Sequence, residues 1–373
     1  METKVLYIST VDVFAKSTDG LMQESKRHRE YLTKIYGDEN IKDLMICKGK
    51  SIGNKYYFFP ILNRALNALF SSKGMSFSNP ILLPMSLISI RNQIKRIKPD
   101  IIFLDGSLLG AVIPRNIPSN VIVFFHNIET EKVKNKIKNK NKGILYFPVY
   151  ISALLNEKRA IMYANKVICL NNRDAQLLHK LYGKTAELVL PCSFNDRFDK
   201  RKLKPEINRE ILFVGTLFAS NEDGIKWFID NVMSSIKDVT LHVVGRGFEK
   251  KRDELSRDNV IIDGFVEDID DYYYRIPIVV MPLLYGAGMK LKTAEAMMYG
   301  KCIIASDEAL QGYDVSGAEH IYRCNTANEF IKAIEKAFSI NYGEGYLEDV
   351  RKVFLEKYES LRQYERFRKF MLS

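Results

Sequence analysis

The sequence predicts an α/β protein built from two doubly wound parallel-sheet domains, and three observations carry that prediction. At 373 residues the chain exceeds the size at which one hydrophobic core usually keeps growing. Its strand-like runs, such as DIIFL (Asp100–Leu104) and VIVFF (Val121–Phe125), are too uniformly apolar for a sheet with one wet face, which indicates parallel sheets covered on both faces. The alternation of strand, glycine turn and helix then starts afresh near residue 210.

The first half supplies one set of elements. VLYIS (Val5–Ser9) is a β-branched and aromatic run suited to a buried strand. A polar loop with Asp19-Gly20 follows, then helical spacing over Leu21–Tyr36 with Lys26, Arg27 and Arg29 on a basic face. Asp43–Cys47 reads as the second strand and Pro84–Lys98 as a helix stopped by Pro99. Asp100–Leu104, Val121–Phe125, Val167–Leu170 and Leu188–Leu190 are further strands, the last two flanking a helix over Arg173–Tyr182. His126-Asn127-Ile128-Glu129 stands at the C-terminal end of a strand, where open α/β sheets bind ligands. The alternative for His126 is a hydrogen-bonded structural histidine.

Phe194–Arg209 is polar, contains Pro205 and lacks apolar periodicity, so it reads as an interdomain linker. Beyond it, Ile211–Val214 runs into Gly215-Thr216, and Gly224–Met233 is helical. Leu241–Val244 runs into Gly245-Arg246-Gly247, and Val260–Ile262 into Gly264-Phe265-Val266. Ile278–Pro282, Cys302–Ala305 and Ile321–Cys324 complete the strands. Phe330–Phe338 is helical, and Leu347–Leu372 forms one or two charged helices, the last suited to packing back across the joint. The expected division is 1–200, 207–352 and a crossover helix over 353–373.

Composition narrows the function. The five cysteines are single, without a C-x-x-C pair, and at least four lie in or beside apolar runs, which argues for buried thiols and against a disulfide framework or zinc site. No apolar run approaches the roughly 20 residues of a membrane span, and the first nine residues already read as a strand rather than a signal peptide, so the expected compartment is the cytoplasm. Residues 1–200 carry 31 Lys+Arg against 17 Asp+Glu, and residues 201–373 carry 25 against 28, so the net charge of +11 resides wholly in the first half. A basic surface attracts phosphates of nucleic acid, lipid or substrate, and no helix-turn-helix, zinc-finger or RNA-binding signature favours nucleic acid. Two stretches join basic and apolar residues: Lys48–Phe59, and Lys132–Lys142 with six lysines in eleven residues, leading into ILYFPVYISALL (Ile144–Leu155). Each is either a solvated loop beside core or a patch for anionic lipid.

The chain is organised around Pro282–Ile304, PLLYGAGMKLKTAEAMMYGKCII. A buried strand ends in a turn with Gly286 and Gly288, and a short helix bearing Lys290, Lys292 and Glu295 follows, closed by Gly300. Unpaired N–H groups and the positive end of the helix dipole at such a turn suit a phosphate.

In their order, FVGTLFASNEDGIKWF (Phe213–Phe228), VVGRG (Val243–Gly247), GFVEDIDDYY (Gly264–Tyr273), PLLYGAGMKLKTAEAMMYGK (Pro282–Lys301) and IIASDEALQG (Ile303–Gly312) resemble the GT-B glycosyltransferases, specifically the retaining group called family 4 that builds bacterial surface polysaccharides. The match covers about 100 residues in the right order. In the first half only HNIE (His126–Glu129) and YANKVICLNNRDAQLL (Tyr163–Leu178) are similar.

The resemblance implies two Rossmann-like domains facing across a cleft, with a nucleotide sugar held by the C-terminal one. Glu295 would take hydrogen bonds from the ribose hydroxyls. Lys290 and Lys292, with the backbone from Gly286 through Ala287 and Gly288 to Met289, would hold the diphosphate and stabilise the charge that builds on it as it leaves. Gly215, Thr216 and Arg246 would meet the donor, and the backbone at Phe265 and Val266 would meet the base. His126 would sit beside the donor sugar and, with Lys290 and Lys292, form the catalytic set. Asp19, Gly20 and Glu129 fall to the acceptor side.

Two departures stand out: Ala287 occupies the position of a second glutamate that many members carry, and Phe218, Ala219 and Ser220 replace an Arg and Lys common after the Gly215 strand. A subgroup with a G-x-G-x-x-x-K turn lacks both, and Gly286, Gly288 and Lys292 fit it. Asp268-Ile269-Asp270 looks like the metal motif of another glycosyltransferase fold but lies where this family holds no ion, so no metal or other cofactor is expected. The expected function is retaining transfer of a sugar from a nucleotide diphosphate sugar to a lipid-linked or growing glycan acceptor, on an anionic membrane surface at the cytoplasmic face. A non-catalytic partner or glycan-binding subunit, and an epimerase on the same fold, are the alternatives.

Overall fold

A computed structural model describes residues 2–15, 20–47, 55–57, 84–138, 147–204, 208–286, 288–343 and 345–373. The chain divides into two units, Met1–Pro191 with Arg366–Ser373, and Cys192–Glu365.

The first unit contains β1 (Val5–Ser9), α1 (Gly20–Tyr36), β2 (Ile41–Cys47), β3 (Lys55–Tyr57), α2 (Pro84–Ile97), β4 (Ile101–Asp105), β5 (Asn120–Phe125), α3 (Glu129–Lys138), α4 (Phe147–Tyr163), β6 (Lys166–Cys169), α5 (Asn172–Tyr182) and β7 (Leu188–Val189). The described strands form a parallel sheet in the order β3-β2-β1-β4-β5-β6-β7. Strands β1 and β4 are buried along their whole length, as expected of a sheet covered on both faces. At about 1.5–3 kcal/mol for each large apolar side chain buried, this core far outweighs the ion pairs of the surface. The register sets Ser9 opposite Asp105 and Asp105 opposite Phe124, so the carboxyl ends of β1, β4 and β5 arrive together.

Two local expectations change here. The lysine run from Lys132 is helix as far as Lys138, and Val133 is buried beneath it. What starts that helix is remote in sequence: Glu157 of α4 accepts hydrogen bonds from the backbone N–H of Glu129 and Thr130 and from the Thr130 hydroxyl, a cap that local pattern cannot reveal. From Phe147 the apolar run after it belongs to α4, which buries Val149, Ala153 and Ala160 but leaves Phe147, Ile151 and Leu155 exposed at 56%, 36% and 62%. Residues 139–146 lie outside the described residues, as does most of Lys48–Phe59; residues 55–57 of the latter form edge strand β3.

The second unit contains β8 (Glu210–Val214), α6 (Ala219–Asn231), β9 (Thr240–Val244), α7 (Arg252–Leu255), β10 (Val260–Gly264), α8 (Asp270–Arg275), β11 (Ile278–Met281), α9 (Leu291–Met298), β12 (Cys302–Ala305), β13 (Ile321–Arg323), α10 (Ala327–Phe338) and α11 (Glu348–Lys357). Its sheet is parallel in the order β10-β9-β8-β11-β12-β13. Cys169, Cys192, Cys302 and Cys324 are buried free thiols.

The expected linker is instead tied into the second unit over its first part. Phe194 exchanges backbone hydrogen bonds with Tyr358 and Ser360, Phe198 packs on Tyr274, Tyr299 and Tyr346, and Asp199 N–H donates to the Tyr274 hydroxyl. Aromatic anchoring holds a segment whose polar composition reads as a linker. At the other end, α12 (Ser360–Leu372) begins in the second unit, and its residues from Arg366 onward belong to the first. Phe367 is fully buried against Tyr31 and Phe103 of the first unit.

Lys301, after the turn that ends α9, is 1% exposed, and its ammonium has the Gly345 carbonyl at 3.2 Å. Burial pushes its pKa down to about 7, while in the unfolded chain it returns to about 10.4. The unfolded state then binds more protons between these values, so stability rises with pH across that window. The full penalty is present below pH 7. Lys301→Met is therefore expected to raise the urea midpoint more at pH 6 than at pH 9.5; an equal change at both would refute a buried charge there.

Candidate active site

In the second unit, strand ends β8, β9 and β11 bring three glycine turns to one edge. Gly245 has φ 149°, and a Cβ there would fall 1.9 Å from the Gly215 carbonyl oxygen, so only glycine lets these two turns touch. Gly215 N–H donates to the Val244 carbonyl, and Gly245 N–H to that of Gly264. The Asn221 side chain donates to the Thr216 carbonyl at 2.7 Å and accepts from Lys292 Nζ at 2.8 Å. A Cβ on Gly215 would approach that Nζ to 2.9 Å. Lys292 also lies over the Phe213 ring, 4.4 Å from its centre.

Lys290 precedes α9, whose N-terminus no side chain caps. Its Nζ lies 2.6 Å from Glu308 Oε1 and 2.8 Å from the Gly288 carbonyl. Gly286 sits against the same pair, since a Cβ there would fall 2.9 Å from Glu308 Oε1 and 3.0 Å from Lys290 Cε. Gly288 adopts φ 68° and Met289 is buried. Glu295, one turn beyond Lys292, lies 3.5 Å from Arg197 Nη2, which also meets Asp270 at 3.4 Å.

The electrostatics follow from this crowding. Burial, then the charge of Lys290, pushes Lys292 down to about 7 against an opposing pull from Glu295. Burial raises the Glu295 carboxyl, and Arg197 partly offsets it. A lysine depressed in this way gains from an incoming anion.

Sequence reasoning thus finds Gly215, Thr216, Gly286, Gly288, Lys290, Lys292 and Glu295 on neighbouring turns. Arg246 and Phe265 are exposed next to each other, with the guanidinium 5.3 Å from the ring centre, and Val266 follows in the same loop. Ala287 lies outside the described residues. Asp268 accepts from the Asp270 N–H, which gives the D-x-D stretch a turn-forming role. Sequence reasoning misses Asn221, Glu308 and Arg197, although the last lies in the segment read as linker.

In the first unit, His126 follows β5 and donates from Nε2 to Asp105 Oδ1 at 2.8 Å. The same oxygen accepts from His28 Nδ1 at 3.0 Å, and the Tyr7 hydroxyl donates to Oδ2 at 2.5 Å. His28 Nε2 lies 3.4 Å from Glu24 Oε1, and Arg27 meets Glu24 at 3.0 Å. Despite burial, the two histidines hold Asp105 well below the usual carboxylate range. Asp105, not anticipated, ends β4 and shares the strand-end logic that flags His126, whereas His28, also not anticipated, comes from the middle of α1. Glu129 is held by Lys132 of its own helix at 3.1 Å. Gly20 is the first residue of α1, and Asp19 lies outside the described residues. No helix among the described residues is long and apolar enough to cross a membrane.

Comparison with known proteins agrees with this geometry. Residues 208–339 match the family model described as Glycosyl transferases group 1. An uncharacterised 44.6 kDa protein from the cps region of Klebsiella pneumoniae is 25% identical over 242 residues, and the match spans 60% of each chain. The structure of lipopolysaccharide outer core galactosyltransferase WaaB aligns over 100% of both chains at 15% identity, with a TM-score of 0.64. That of Anabaena HepE with UDP and glucose aligns over 100% of both at 13% identity, with a TM-score of 0.62. The chain therefore has the GT-B fold of these structures, and residues 208–339 of its second unit match the group 1 glycosyl transferase model.

Proposed function

We propose that this chain is a retaining, metal-independent glycosyltransferase. It moves a sugar from a nucleotide diphosphate sugar to a lipid-linked or growing glycan acceptor in surface polysaccharide biosynthesis. The observation that carries this reading is Lys292: an ammonium with a pKa near 7, set between Asn221 and Gly215 with Lys290 close by. A diphosphate placed there restores its proton and meets two ammoniums and the uncapped start of α9. Charge that builds on the leaving diphosphate is met by donors already in place. These groups supply the positive charge a metal would otherwise bring. The leaving phosphate accepts the proton of the acceptor hydroxyl, so retention needs no separate base. Glu295 binds the ribose, and His126 contacts a hydroxyl of the transferred sugar. HepE, crystallised with UDP and glucose, supports a nucleotide sugar as donor. WaaB and the cps-region relative support a surface glycan as acceptor. For the membrane, the support is the exposed face Phe147, Ile151 and Leu155 in a unit that holds all the excess positive charge.

A thermal-shift screen of nucleoside diphosphates is expected to identify one that raises the melting temperature. Lys292→Ala and Glu295→Ala should each lower its affinity or the turnover of its sugar at least tenfold, and EDTA should leave turnover unchanged. Full activity in both variants, or dependence on a divalent ion, would overturn the reading.

Binding should also respond to pH. Below pH 7 the free site already holds the Lys292 proton; above it, binding must take one up. Affinity should then fall by up to about tenfold per pH unit above pH 7, and Lys292→Gln should flatten the profile in calorimetry.

Liposome flotation tests the membrane reading. Binding should increase with anionic lipid and drop in a Phe147→Ser, Leu155→Ser variant; recovery that ignores lipid charge would count against it.

A further inference from the structure

We propose that Asp105 is a positioning residue that fixes the tautomer of His126, with His28 and Glu24 forming the buried end of the same relay. The proposal rests on the reading of His126 as a contact to a sugar hydroxyl. Asp105 is 1% exposed and receives three donors, from His126 Nε2, His28 Nδ1 and the Tyr7 hydroxyl. An ionised carboxylate accepts only, so each imidazole must present an N–H to it. For His126 this places the proton on Nε2 and leaves the Nδ1 lone pair as the acceptor of the neutral ring. No hydrogen bond occupies that atom among the described residues. A substrate hydroxyl is the partner such an atom takes, and a carboxylate behind the ring strengthens it as an acceptor.

The charges behind the ring balance one another. Burial opposes a charge on His28, but Asp105 and Glu24 on either side of it prevail and raise its pKa to about 9. Glu24 and Asp105 are both held below their ordinary values. Arg27, Glu24, His28 and Asp105 then sum to zero, so the buried end of the relay is balanced within itself. His28 is fully buried, 4.1 Å from the ring of Phe124 and stacked with Phe367 at 6.4 Å. Its link to Asp105 thus runs through a dry interior, where hydrogen bonds to charged groups are strongest.

The same three side chains could also ligate a metal, since His28, Asp105 and His126 offer atoms within 4.8 Å of one another. Separations of 2.8 and 3.0 Å to a single carboxylate oxygen are those of hydrogen bonds, which favours the relay. The metal becomes an outcome of the test.

Long-range 1H–15N spectra of the full chain with labelled histidine decide between them. His126, assigned by its loss in His126→Gln, is expected in the Nε2–H form in the wild type and as a tautomer mixture in Asp105→Asn. In the transfer reaction Asp105→Asn should lower kcat at least tenfold with little change in KM, and adding it to His126→Gln should cost no more. An Nδ1–H ring in the wild type, additive effects in the double variant, or one tightly bound zinc per chain would overturn the proposal. The wild-type spectrum requires no substrate, and its assignment needs only the His126→Gln chain, not a folded Asp105→Asn variant. If no sugar is transferred while the Nε2–H form holds, the functional reading fails and the relay stands.

Discussion

A parallel sheet sends every strand in the same direction, so all of its carboxyl ends emerge at one edge, and the helical returns occupy the faces. Both units obey this constraint, and both candidate sites depend on it. In the first, β4 and β5 end in Asp105 and, just beyond, His126. In the second, β8, β9 and β11 end in the turns of Gly215, Gly245 and Gly286. The apolar strands buy the rigidity, and the polar residues need only stand one or two positions past the last buried side chain.

The two sites solve opposite electrostatic problems. The second site sets Lys290 and Lys292 close together and relieves their charge with Glu308 and with a lysine that gives up its proton readily. A lysine that gives up its proton suits a group whose partner arrives with the substrate. The first unit instead closes its charges on one another in the chain Arg27, Glu24, His28 and Asp105. A buried carboxylate with three donors has no reason to move, so the ring it supports stays fixed.

The fold was largely legible because alternation and glycine turns are local signals. The Lys290, Lys292 and Glu295 set was legible for the same reason, since all three lie within six residues on one turn and helix. What escaped notice lies far away in sequence. Lys292 meets Asn221 across 71 residues, His28 meets Asp105 across 77, and even Lys290 meets Glu308 across 18. The segment read as a linker escaped because Phe198 is a single aromatic among charges, and its worth comes from Tyr274, Tyr299 and Tyr346. The helical start at Glu129 depends on Glu157 in the same way.

The division of α12 between the units has a bearing on synthesis. Phe367 seals His28, Tyr31 and Phe103 from solvent, and Lys166 donates to the Phe370 carbonyl at 3.0 Å. Phe367 and Phe370 belong to the eight residues that complete the first unit, and a ribosome makes them only after the entire second unit. The amino-terminal sheet therefore leaves the exit tunnel with an open aromatic wall, and the second unit is translated in full before that wall can close.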